Sequence, residues 1–88
     1  MLNFLTNFNK NGKIYSFAKI VSIGNFEVTV AYKNSSKIIK TEQIYNKKDW
    51  VIFYGYLEEN TIYPEYIENI SGIDVNILER FINFLSIN

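Results

Sequence analysis

One change of period governs what this chain can fold into. Up to Ile70 its apolar residues come in short, β-rich runs separated by turn signals, and after Ser71-Gly72 they recur at helical spacing. The clearest run is 26–33, where Phe26, Val28, Val30 and Tyr32 alternate with Glu27, Thr29, Ala31 and Lys33. A strand over 14–23 precedes it, with Gly24-Asn25 as the two-residue hairpin loop between them. Asn34-Ser35-Ser36 reads as the next turn and 37–41 as a shorter strand. Residues 42–49 are polar and form either a loop or one short helical turn. The run 50–57 suits a strand buried on both faces and interrupted by Gly55; Glu59-Asn60 is a tight turn, and 62–70 is the fifth strand. Pro64 has no N–H for a ladder, so it belongs at a bulge or on an unpaired side of that strand. Asp74 is a good N-cap for a helix over about 75–86, with Ile77, Leu78, Phe81, Ile82 and Leu85 on one side and Asn76, Glu79, Arg80 and Asn83 on the other.

Five short strands with tight turns, then one helix and no linker, predict a mainly β single domain over 1–88: a small barrel closed by an amphipathic C-terminal helix. SH3-like and OB (oligonucleotide/oligosaccharide-binding) barrels both have five strands. The long first strand with Ala18 at its middle suits the strongly bent first strand of an OB barrel. Gly55 suits a tightly coiled fourth strand, and the terminal helix also favours the OB form.

Composition narrows the chemistry. The chain has no cysteine and no histidine, which removes disulfides, thiolate nucleophiles and the commonest general base and metal ligand. The carboxylate pairs Glu58/Glu59 and Glu65/Glu68 have no nucleophile beside them, and neither a phosphate-cradling glycine loop nor a calcium loop is present. The expectation is a binding protein, with no catalytic activity and no cofactor. No apolar run is long enough for a signal peptide or a membrane span, so the chain reads as soluble and intracellular, without a membrane partner. Net charge is zero, yet residues 1–48 hold eight lysines against Glu27 and Glu42, +6, and residues 49–88 hold seven acids against Arg80, −6. This asymmetry gives one basic and one acidic surface, unless interleaved strands average it out.

The run 50–58, the strand 62–70 and then Gly72-Ile73-Asp74-Val75-Asn76-Ile77-Leu78-Glu79-Arg80-Phe81-Ile82 resemble the second half of small single-OB subunits. These are the smallest subunit of replication protein A and its relative, the small OB subunit of the telomeric CST complex. The first strand, with Ala18-Lys19 where those proteins often have Gly and a basic residue, is similar to their opening strand, so the resemblance spans about residues 14–85. It implies a non-catalytic structural subunit of a heteromeric single-stranded-DNA-binding complex in DNA replication, repair or telomere maintenance. It also implies a nuclear location and a C-terminal helix that packs on a helix of a larger OB-fold subunit. Single-stranded DNA would be contacted mostly indirectly.

On this reading Ile77, Leu78, Phe81, Ile82 and Leu85 are the partner interface, widened by Phe84, Ile73 and Val75; the alternative is that the stripe plugs its own barrel. Direct nucleic-acid binding would need aromatic platforms in a basic groove, with Lys19, Tyr32, Lys33, Lys37 and Lys40 as candidate contacts. Short loops and the phosphate-repelling Glu58 and Glu59 weigh against a strong grip. An autonomous nucleic-acid-binding module and a small ribosome- or RNP-associated interaction protein are the competing functions.

Overall fold

A computed structural model describes residues 1–87. Its strands are β1 (Gly12–Gly24), β2 (Glu27–Tyr32), β3 (Ser35–Lys40), β4 (Trp50–Glu58) and β5 (Thr61–Asn69), followed by the helix α1 (Val75–Ile87). They close into a barrel in the order β1-β2-β3-β5-β4. All pairings are antiparallel except the closing one, where Ile38 and Ile39 of β3 lie parallel to Thr61 and Ile62 of β5. This is the OB barrel.

β1 makes the closure possible by serving both sides. Its first part, Gly12 to Lys19, pairs with β4, and its last part, Lys19 to Gly24, pairs with β2. A bulge between Ile20 and Ser22 shifts the register with β2 and leaves Val21 unpaired and 46% exposed. Ala18 is fully buried opposite Val51.

Two turns differ from the sequence reading by a residue or two. Gly24 is the last paired residue of β1, opposite Glu27, so the hairpin turns on Asn25-Phe26 and the positive φ (58°) falls on Phe26. The next hairpin pairs Tyr32 with Ser35 and turns on Lys33-Asn34, with Lys33 at φ 54°. The Glu59-Asn60 turn is where the sequence placed it, with φ values of 49° and 68°. Residues 42–49 form a loop without a helix.

Gly55 and Pro64 explain each other. β4 and β5 keep one register from Glu58↔Thr61 to Gly55↔Pro64, then shift so that Tyr54 faces Tyr66 and Glu65 is the extra residue. At the shift the β5 backbone comes so close that a Cβ on Gly55 would lie 2.3 Å from the Tyr63 carbonyl oxygen.

Inward side chains from all five strands, including Ile14, Ile20, Val30, Ile39, Val51, Phe53 and Ile62, fill the barrel. Leu5, from a single 3₁₀ turn at Leu5–Asn7, is buried among them, and that turn touches β1, β2 and β3. The segment before it is tied down where the Ser16 hydroxyl donates to the Asn3 carbonyl at 2.7 Å and the Asn3 amide donates to the Tyr15 carbonyl. The Asn-rich start therefore belongs to the barrel.

Candidate functional site

The helix begins as expected: Asp74 Oδ1 accepts the Asn76 amide at 2.9 Å, satisfying a donor that the first turn would leave unpaired. Its apolar residues then divide into two stripes. Val75, Leu78 and Ile82 share one line along the helix; Ile82 is buried and Val75 and Leu78 pack partly against the core, while Leu85, a further turn along that line, is half-buried. Ile77, Phe81 and Phe84, at spacings of four and three, share a second line and are 58%, 53% and 64% exposed. Ile73, half-exposed just before the helix, extends the apolar surface.

The five-residue stripe expected from sequence therefore merges two faces. Ile82 is corrected from partner contact to core residue, because its position on the helix turns it into the barrel, and Leu78 is largely committed the same way. Ile77 and Phe81 remain as solvent-facing candidates, and Leu85 sits between the two roles. Phe84 was visible in the sequence but placed only beside the stripe; counting positions 77, 81 and 84 as a separate line would have found the ridge.

Tyr32 shows how the helix is held. Its ring stacks on Phe4 with centroids 5.7 Å apart and meets Phe17 and Trp50 edge-on, and its hydroxyl donates to the Glu79 carboxylate on the inward side of α1. Burial, then the hydrogen bond and charge of Glu79, push this phenol well above its ordinary range. Lys33 approaches the same carboxylate at 4.0 Å and lies 5.4 Å from the Tyr32 ring centroid. One acid thus fastens α1 to the end of β2 and the turn that follows.

These contacts correct two of the expected nucleic-acid residues, Tyr32 and Lys37. Tyr32 is only 5% exposed, so no base can stack on it, and Lys33 is drawn toward Glu79. Lys37 faces the barrel side of β3 opposite Val30 and is 7% exposed, with burial lowering its amine below the usual lysine range. Lys40 is held by Glu27 at 2.7 Å. Lys19 is half-buried, in register with Ala31 on one side and Trp50 on the other. Two of the five, Tyr32 and Lys37, are thus withdrawn from the outer surface, whereas Lys33 and Lys40 keep exposed amines beside Glu79 and Glu27.

Among the described residues there is no group of three or more acids that could hold a metal ion, and no helix long and apolar enough to cross a membrane.

Barrel and ridge together define a small OB-fold protein that carries an amphipathic C-terminal helix. Solved structures of this shape include a chain of the S. pombe Stn1–Ten1 complex, 17% identical, with a TM-score of 0.85 over 97% of this chain and 90% of that one. They also include the telomere capping protein Ten1 from S. pombe, 17% identical, with a TM-score of 0.86 over 99% and 97% of the two chains. At this identity the likeness is one of fold. No protein-family model matches the sequence, and no curated protein matches it.

Proposed function

We propose that this chain is the small, non-catalytic OB subunit of a telomere-capping assembly that binds single-stranded DNA, and that it joins a larger OB-fold subunit through the outer ridge of α1. The observation that carries the reading is the end-to-end match to telomere-capping structures. Barrel, strand order and terminal helix superpose over nearly the full length of both chains, with no large part left over on either side. The telomeric branch of the resemblance is favoured over the replication protein A branch for the same reason.

The ridge supplies the physics of attachment. Ile77 and Phe81 leave apolar surface in water that a partner would cover, at roughly 25 cal/mol per Å² buried. A line of apolar side chains at helical spacing, with an aromatic at its centre, suits a partner helix packed ridge against groove. The burial of Tyr32 and Lys37, with Glu79 and Glu27 beside Lys33 and Lys40, supports DNA contact being left mainly to the partner. A role at chromosome ends carries a nuclear location with it.

The test is native mass spectrometry of the complex purified through the tagged chain. The expected species contains this chain and a larger OB-fold protein, and it binds telomeric single strands more tightly than the chain alone. Recovery of the chain only as a monomer would refute the proposal.

A further inference from the structure

A second surface lies outside the core and the helix ridge. On the outer side of β1, β4 and β5, Tyr15, Tyr54 and Tyr66 stand opposite one another in one row, and Lys13, Tyr56 and Tyr63 in the next. Tyr15 and Tyr54 meet edge to face, with centroids 6.0 Å apart. Tyr56, Tyr63 and Tyr66 are each 49% exposed and so are open to contact with another molecule. The bulge in β5 is what completes the array: an unbroken register would place Glu65 opposite Tyr54, and the extra residue brings Tyr66 there instead.

Carboxylates flank the rings. Glu58 follows Tyr56 on the same side of β4, Glu68 follows Tyr66 on β5, and Glu65 sits at the bulge, all three exposed. Glu68 is near enough to hold the Tyr66 hydroxyl above its ordinary range. Lys13 is the cation within the rows, and Lys40, whose charge reaches Tyr63, is already engaged by Glu27. The face thus offers flat π surfaces beside net negative charge. Phosphates are repelled by such a rim, whereas a guanidinium stacks on phenol rings and forms charge-assisted hydrogen bonds with carboxylates.

We infer that this tyrosine face binds an arginine-bearing polypeptide segment, with guanidinium groups over Tyr54, Tyr56, Tyr63 and Tyr66 and their charge balanced by Glu58, Glu65 and Glu68. Arg80, on the helix, is the single arginine of this sequence, so an occupant that lays several guanidinium groups over the rings is a different polypeptide. The inference does not depend on the helix ridge.

The experiment is a fluorescence-anisotropy titration of the full chain with three labelled probes at low salt: an Arg-Gly repeat peptide, the matching Lys-Gly peptide and oligo(dT). The arginine peptide is expected to bind saturably, and the lysine peptide roughly fivefold more weakly, as one exposed cation–π contact predicts. Tyr56→Leu/Tyr63→Leu weakens the arginine peptide by roughly fivefold or more, while Tyr56→Phe/Tyr63→Phe keeps it, because the ring and not the hydroxyl is the contact. Glu65→Gln/Glu68→Gln also weakens it, and Phe81→Asp on the helix leaves it unchanged. Thermal melts establish that each variant is folded. The inference is overturned by any of three results: no saturable binding of the arginine peptide, equal binding by the folded leucine variant, or oligo(dT) binding that the leucine variant abolishes, which would assign the face to bases.

Discussion

Replacing Gly55 by alanine tests the most tightly determined point of the barrel. A Cβ there would stand 2.3 Å from the Tyr63 carbonyl oxygen and 2.7 Å from the Pro64 Cα, where ordinary contact starts at 3.4 Å. The obstacle is backbone, so relief requires β5 to move by about 1 Å. β5 is not free to do so, because it pairs with β4 on one side and closes the barrel against β3 at Ile38 and Ile39 on the other. Overpacking of this kind costs about 1–3 kcal/mol, and each strained or broken ladder bond adds about 1 kcal/mol. The stiffer unfolded chain returns about 0.4–1 kcal/mol. The expected net loss is about 3 kcal/mol, which for a domain of this size lowers Tm by about 12–24 °C. Thermal and urea unfolding followed by far-UV circular dichroism measure it. Gly24→Ala is the matched control: there the nearest atom is the flexible Glu27 Cγ at 3.2 Å, and the change should stay within about 1 kcal/mol. A loss below about 1 kcal/mol for Gly55→Ala would refute the close approach and the bulge that creates it.

Three further outcomes follow from the same geometry. Ile82→Ala should cost about 2–4 kcal/mol in chemical unfolding, whereas Ile77→Ala, on the exposed line, should stay within about 0.5 kcal/mol. Because the Tyr32 phenol is raised in the folded state above its ordinary value of 10.0, its contribution to stability is complete below pH 10 and declines as pH rises through the raised value; Tyr32→Phe should flatten that part of the stability–pH curve. Phe26→Gly should stabilise the β1–β2 hairpin by about 1 kcal/mol, since an exposed phenylalanine there occupies a left-handed conformation that glycine adopts without strain; differential scanning calorimetry reads the shift.

The barrel was legible because its signals are local. Alternation from Glu27 to Tyr32, the Glu59-Asn60 turn and the Asp74 cap each involve residues close in sequence, and each stands where expected, while Phe26 and Lys33 at the ends of the alternating run fall in turns. Turn register was harder: Gly24-Asn25 has the right chemistry, yet the register of Gly24 with Glu27 moves the turn onto Phe26, a residue that propensity would not choose. The helix stripe was misread for a different reason. Apolar residues cover more than half its circumference, and spacing alone does not say which line meets the barrel; that depends on Tyr32, Phe4 and Glu79 converging from distant positions. Lys37 shows the same limit, since its position on the barrel side of β3 follows from register and not from its charge. The tyrosine face was half-readable: the Glu59-Asn60 hairpin already pairs Tyr56 with Tyr63, but only the Glu65 bulge places Tyr66 opposite Tyr54.

The central claim is that the outer ridge of α1 mounts this barrel on a larger partner. Its most direct test is purification through the tagged chain carrying Ile77→Asp/Phe81→Asp, after thermal unfolding has shown the variant to be folded. Both positions face solvent, so the barrel should survive the change while the larger OB-fold protein is lost from the purified material. A folded variant that retains the partner at the wild-type ratio would contradict the account.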